Sequence, residues 1–281
     1  MTSDSRFSHH SECPECGSSD ALAVYTDGGS HCFASGCNYH LSGSATHVDQ
    51  VTPQIDSGKP VDMSGIIAGI PERKISEETC KKYQVTVTYD SKGKIERHHY
   101  PYYNTETGEL VASKVRQVST KGFFASGNLK STGFFGQQQC RGTGKFVTIT
   151  EGELDAMSVY EMFGQKFDVV SLKTGAAGAV KEIKEQLEWL ENYDSVVLCF
   201  DQDKAGELAV EQVKDLFSPN KLKVCKLPLK DASEMLVANR VKEFVQNWWD
   251  AKTYRPDGIV AGKEAKFPAK DGWKLSVTNR D

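Results

Sequence analysis

Between Lys145 and Leu227 the chain alternates short, continuously apolar runs with longer stretches of mixed polarity. Lys145-Phe-Val-Thr-Ile-Thr150, 167–172, Ser195-Val-Val-Leu-Cys-Phe200 and 221–226 are brief and rich in β-branched residues, as parallel strands buried on both faces are. The segments between them, 153–163, 179–192 and 204–217, are long enough for helices. Strand and helix in strict alternation predict a parallel α/β unit, to which we assign residues 145–254. Residues 63–144 have a different rhythm. Gln84 to Tyr89, Tyr100-Pro-Tyr-Tyr103 and Leu110 to Val118 look like antiparallel strands, and Asn104-Thr-Glu-Thr-Gly108 would turn a hairpin. Ser76-Glu-Glu-Thr opens a short helix to Tyr83, so this region reads as a mixed α+β subdomain. Residues 44–62 are rich in Ser, Gly, Thr, Asp and Pro with little periodicity, the pattern of a flexible linker, and 255–281 form a C-terminal tail.

Composition changes this picture little. The 281 residues are 38% hydrophobic and 26% charged, which suits a large domain plus a small one. No apolar run approaches the ~20 residues that span a bilayer, and the polar N-terminus lacks the apolar core of a signal peptide, so the chain is expected in the cytoplasm with no membrane partner. A net charge of −4 means that any nucleic-acid affinity must come from local basic faces.

The candidate chemistry sits where the strands end. Glu151-Gly-Glu153-Leu-Asp155 follows one apolar run and Asp201-Gln-Asp203 another. Ligands of open α/β sheets bind at the carboxyl ends of the strands, so neighbouring strands would bring Glu151, Asp201 and Asp203 together. Such oxygens suit Mg²⁺, which uses one or two carboxylates, waters and substrate phosphates. Read one cluster at a time, Asp203 would cap a helix starting near Lys204, and Glu151 and Glu153 would mark another helix start. Asp231 follows the fourth strand on the same edge, where it would be an outer metal or nucleotide ligand. Gly175-Ala-Ala-Gly178 lies between a strand and a helix, either for close packing or with its amides facing an anion.

Four of the eight cysteines crowd the N-terminus. Cys13-Pro-Glu-Cys16 and, fifteen residues later, Cys32-Phe-Ala-Ser-Gly-Cys37 have the form of a zinc ribbon over residues 1–43, two turns offering four thiolates to one structural Zn²⁺. The second pair is wide, so His31 or His40 is an alternative ligand or a neighbour of one. So small a segment would draw its folding free energy from the metal. In the mixed subdomain, the period of two puts Lys114 and Arg116 on one face, followed by Lys121 and Lys130. Those four cations would hold triphosphates or a strand backbone; Lys114 and Arg116 taken alone read as a solvated sheet face.

A zinc ribbon, a linker, a basic mixed domain and an α/β unit bearing Glu151, Asp201 and Asp203 together resemble a bacterial-type DNA primase with a Toprim domain, and most of all the primase half of the bacteriophage primase-helicases. The resemblance includes Lys114-Val-Arg116, Phe134-Phe-Gly136, Thr150-Glu-Gly-Glu-Leu-Asp155, Phe200-Asp-Gln-Asp203, Lys230-Asp-Ala232 and Pro256-Asp-Gly258. It implies RNA primer synthesis from ribonucleoside triphosphates on single-stranded DNA, with one or two Mg²⁺ held by Asp201 and Asp203 and Glu151 as ligand or general base. Glu153 and Asp155 would be supporting acids, and Lys114, Arg116, Lys121 and Lys130 would neutralise triphosphate and template. The ribbon would recognise a short template sequence, with Tyr25, Phe33 and Tyr39 able to stack on bases or pack against the metal turns. A replicative helicase, fused or separate, is the implied partner. Zinc modules joined to Toprim units also occur in non-catalytic scaffolds of recombination-mediator type, which do not need the acidic set.

Overall fold

In the computed structural model the described residues are 6–15, 21–26, 28–33, 37, 39–41, 55–56 and 61–254. Cys16, nearly all of the expected linker and the whole of the tail from residue 255 lie outside them. The chain divides into two compact units, Met1–Gln50 and Val51–Asp281.

The first unit is an antiparallel sheet of four strands in sequence order: β1 (Phe7–Ser11), β2 (Leu22–Tyr25), β3 (Ser30–Cys32) and β4 (His40–Leu41). Among the described residues its core consists of Cys13, Leu22 and Cys32 with Ala21, Val24, Cys37 and Tyr39 packed against them. The strand period decides the fate of the histidines. Ser30 and Cys32 point inward and His31 points out, beside its cross-strand neighbour His40.

The second unit holds two five-stranded sheets. The N-terminal one runs in the order β5 (Ile55–Asp56), β9 (Phe123–Gly127), β8 (Leu110–Gln117), β7 (Ile95–Tyr103), β6 (Thr86–Tyr89). β7 and β8 form the expected hairpin, with His98 opposite Arg116, Tyr100 opposite Lys114 and Tyr102 opposite Ala112. Asn104 closes its loop by accepting the amides of Glu106 and Thr107. Helix α1 (Glu77–Tyr83) precedes β6; its cap Ser76 accepts the amide of Thr79, and Gln84 ends it in the left-handed conformation.

The second sheet has the order β11 (Asp168–Ser171), β10 (Gly144–Thr150), β12 (Tyr193–Cys199), β13 (Leu222–Val224), β14 (Lys252–Thr253). The first four strands are parallel, as the alternating pattern requires, and β14 adds an antiparallel edge. The covering helices are α2 (Glu153–Met162), α3 (Ala179–Glu185), α4 (Leu187–Glu191), α5 (Lys204–Val213), α6 (Ala232–Val237) and α7 (Val241–Trp249). The helix expected over 179–192 is thus two, because at Gln186 the amide turns to the carbonyls of Glu182 and Ile183 and the second segment starts afresh. The helix expected over 204–217 ends at Val213 in a 3-10 turn. α7 lies beyond the strict alternation; it buries Phe244 and Trp248, one helical turn apart, and Trp248 Nε1 donates to Thr148 Oγ1 at 3.0 Å.

One hydrophobic cluster joins both sheets. Tyr83, Tyr100, Tyr102 and Phe135 from the first region pack with Leu154, Met157 and Val159 of α2. Tyr83 Oη donates to the Val169 carbonyl, and Phe135 bridges to Ser171 on β11. The basic sheet is therefore bound through α2 to the parallel sheet, which matters for the site that α2 begins.

Candidate active site

The register of the parallel sheet sets the site. Thr150 pairs with Cys199, so both strands finish together and the following residues, Glu151 on one and Phe200-Asp201 on the other, emerge at one edge. Asp203 and Asp231 arrive there as helix caps: Asp203 accepts the amides of Ala205 and Gly206, and Asp231 that of Glu234. The capping expected of Asp203 therefore occurs, and it fixes the carboxylate instead of removing it from the cluster.

Glu151 occupies the centre. Its Oε1 accepts the Ala176 amide at 3.2 Å, while Oε2 is buried with no hydrogen-bond partner. The amide of the Gly175–Gly178 turn does face an anion, but that anion is the protein's own Glu151. Burial raises the Glu151 carboxyl above its ordinary range, as does the charge of Asp203, against the Ala176 and Asp201 amides and Lys230. Asp201 is lifted further, to about 7, by burial and by the charges of Glu151 and Asp231, with Lys230 opposing. Lys230 Nζ stands 3.4 Å from Asp201 Oδ2. Asp155, on the first turn of α2, accepts the Ser233 amide at 2.9 Å and is pushed well up by burial and by Asp231 and Asp201. Five acids thus repel one another around one buried oxygen with no partner.

That arrangement fits a hard divalent cation. The donors are all carboxylates, and each would be relieved of like charge by a positive ion.

Glu153 does not join this cluster. It is 3% exposed and turned to the basic sheet, where its Oε1 accepts Tyr102 Oη at 2.6 Å and meets Lys114 Nζ at 2.8 Å. The reading of Lys114 as an open, solvated cation is corrected accordingly. Lys114 is 8% exposed because the face of β8 that carries it packs against α2, and its ammonium also donates to the Lys173 carbonyl at 2.9 Å and lies 4.7 Å from the Phe123 ring. Arg116 shares this face, half-buried, with its Nε buried and unpartnered. Lys121 and Lys130 are exposed at either end of β9, Lys121 in the left-handed conformation.

Three residues that shape the site went unassigned from the sequence: Lys230, Tyr102 and Lys173. Lys230 was legible, since it directly precedes Asp231 at a strand end. Tyr102 and Lys173 were not, because each acts across a contact between segments distant in sequence.

In the ribbon, the sulfurs of Cys13, Cys32 and Cys37 lie within 4.8 Å of one another, with Cys13 and Cys37 3.7 Å apart. Three thiols on two turns, two of them buried, match the donor set of a structural zinc site. Cys16, the expected fourth ligand, lies outside the described residues, and His31 faces away from Cys32. Tyr39 packs on the thiol core, whereas Phe33 is 64% exposed and stacks on His31 at 4.7 Å between ring centres.

Comparison with known proteins agrees with this architecture. Residues 148–236 match the Toprim-like family. The chain is 32% identical over 290 aligned residues to a DNA helicase/primase of Enterobacteria phage T3, covering 99% of this chain and 49% of that protein. It therefore spans about half the length of that curated relative. The crystal structure of the primase fragment of the bacteriophage T7 primase-helicase superposes with a TM-score of 0.60 at 28% identity, covering 87% of this chain and 100% of the other. A chain from the structure of bacteriophage T7 lagging-strand DNA polymerase interacting with primase domains of two gp4 subunits, bound to an RNA/DNA hybrid and dTTP, matches with a TM-score of 0.61 at 32% identity, covering 68% of this chain and 94% of that one. Among the described residues, no helix is long and apolar enough to cross a membrane.

Proposed function

Since this chain belongs to the Toprim-bearing DNA primases, together with the primase portion of phage helicase/primases, we propose that it synthesises short RNA primers on single-stranded DNA. The observation that carries the reading is the buried, unpartnered Oε2 of Glu151 at the strand edge where Asp201, Asp203 and Asp231 meet. In this reaction the 3′-hydroxyl of one ribonucleotide attacks the α-phosphate of the next, the new phosphodiester forms, and pyrophosphate leaves. Divalent ions, in our reading one or two Mg²⁺, supply positive charge for the attacking and leaving oxygens when bound.

The chain's own groups do the rest. Asp201 and Asp203 would hold the cation, Asp203 fixed by the amides it caps and Asp201 paired with Lys230. Glu151 is either a further ligand or the base that takes the hydroxyl proton; a carboxyl raised above its ordinary range suits the second role. Asp155 and Asp231 extend the negative field, and Lys230 restrains it. Arg116, Lys121 and Lys130 face triphosphate and template, the two lysines being exposed and Arg116 half-buried. The ribbon, folded on one Zn²⁺ held by Cys13, Cys16, Cys32 and Cys37, reads the template, with the exposed Phe33 as a stacking surface. A replicative helicase is the partner that would deliver single-stranded template.

The test is incubation with single-stranded DNA, labelled ribonucleotides and Mg²⁺, resolving products by length. Short oligoribonucleotides support the reading. DNA binding with no product over varied templates, with helicase added, would give precedence to the non-catalytic scaffold.

A further inference from the structure

We propose that Lys114 is a positioning residue for Glu151, and that it does not contact the triphosphate; this rests on the reading of Glu151 as the centre of the primer-synthesis site. Glu151 is held from two directions. On one side the chain continues from it into α2, whose first residue is Glu153. On the other, the loop that begins at Lys173 curls back until the Ala176 amide reaches Glu151 Oε1. The Lys114 ammonium, which comes from a different sheet, ties both segments at once. It pairs with Glu153 Oε1 at 2.8 Å and donates to the Lys173 carbonyl at 2.9 Å.

Each end of this tie is itself anchored. Glu153 accepts a second hydrogen bond from Tyr102 Oη, which is supplied by the strand beside Lys114. Glu182 braces the loop by accepting the amides of Lys173 and Thr174 and the Thr174 hydroxyl. Gly178 is part of the same brace, because a Cβ there would collide with Thr174 Oγ1 and press on Glu182. Lys173 Nζ then donates to the Thr132 carbonyl at 2.6 Å, back on the N-terminal region. With its ammonium engaged by two oxygens and shielded by the Phe123 ring, Lys114 can reach a phosphate only by breaking its buried ion pair. Its neighbours Lys121 and Lys130 are exposed and carry no such obligation. The period of two that made Lys114 and Arg116 look alike hides a division of labour between them.

The experiment compares wild type with Lys114→Met, Lys114→Arg and the double variant Lys114→Met/Glu153→Gln. Four quantities are measured on each: kcat and KM for ribonucleotides in primer synthesis, Mn²⁺ affinity by calorimetry without nucleotide, and thermal unfolding. A positioning role predicts that Lys114→Met lowers kcat by about 10- to 100-fold and weakens Mn²⁺ binding by a similar factor, with KM unchanged. It also predicts that Glu153→Gln, added to Lys114→Met, restores much of the lost thermal stability and part of the Mn²⁺ affinity, because it removes the uncompensated carboxylate. If Lys114→Met alone fails to fold, the double variant and Lys114→Arg carry the same measurements. A rise in KM with kcat and Mn²⁺ affinity unchanged would make Lys114 a triphosphate ligand and overturn the inference, as would full activity and Mn²⁺ affinity in Lys114→Met. Wild type inactive in primer synthesis would count against the functional reading, while the Mn²⁺ titrations would still decide the role of Lys114.

Discussion

Gly206 lies directly beneath the carbonyl oxygen of Asp201, closer than any side chain permits: a Cβ built at 206 would overlap that oxygen and crowd the Asp201 backbone. The first turn of α5 therefore determines where the Asp201 carboxylate stands. Gly206→Ala is expected to improve the intrinsic helix propensity of α5 and still to impair the protein, since the displaced backbone carries the acid with it. The check is primer synthesis beside thermal unfolding, with activity falling by at least about tenfold.

The raised carboxyl of Asp201 gives a pH signature. Its ordinary value is 3.8 and the folded protein holds it at about 7. The folded state thus binds this proton more tightly than the unfolded chain, so the stabilisation is complete below the unfolded value and is lost as pH rises through about 7. Without divalent metal, Asp201→Asn is expected to gain in Tm relative to wild type as pH climbs from about 5 to about 8. Saturating Mg²⁺ should abolish that gain, because bound cation takes the proton's place. Differential scanning calorimetry at several pH values measures both effects.

Cys32→Ser is expected to release the ribbon's metal and unfold the first unit, whose hydrophobic cluster among the described residues is built on Cys13, Leu22 and Cys32. The unfolding of the second unit should be unchanged, since none of its core residues belongs to the ribbon. Metal content by mass spectrometry and two-transition melting curves test this. Retained zinc in the variant would remove Cys32 from the ligand set.

Tyr102→Phe takes one hydrogen bond from the buried Glu153 while leaving its ion pair with Lys114. The expected cost is about 1–3 kcal/mol of stability, read by denaturant unfolding. Tyr102 is fully buried, so a cost below about 0.5 kcal/mol would mean that Glu153 recovers a partner on its own.

How far these relationships could be read in the sequence depends on their range. The β10 and β12 runs announce themselves because buried parallel strands are continuously apolar, and the acids after them fall where such strands end. α7 and β14 do not continue the alternation, and nothing local says that Trp248 will reach back to Thr148, 100 residues earlier. Lys114 shows the same limit more sharply. Period two places it on the face of Arg116, yet whether that face meets water or α2 depends on Glu153, a residue in another element. The split at Gln186 is a matter of local hydrogen bonding that helix propensity does not record.

Asp201, Asp203 and Glu151 are proposed as the nucleotidyl-transfer centre. The most direct test is length-resolved primer synthesis on single-stranded DNA with Mg²⁺, comparing wild type with Asp201→Ala and measuring DNA binding on the same samples. Short oligoribonucleotides are expected from wild type, none from Asp201→Ala, and equal DNA binding from both. Undiminished synthesis by Asp201→Ala would contradict it.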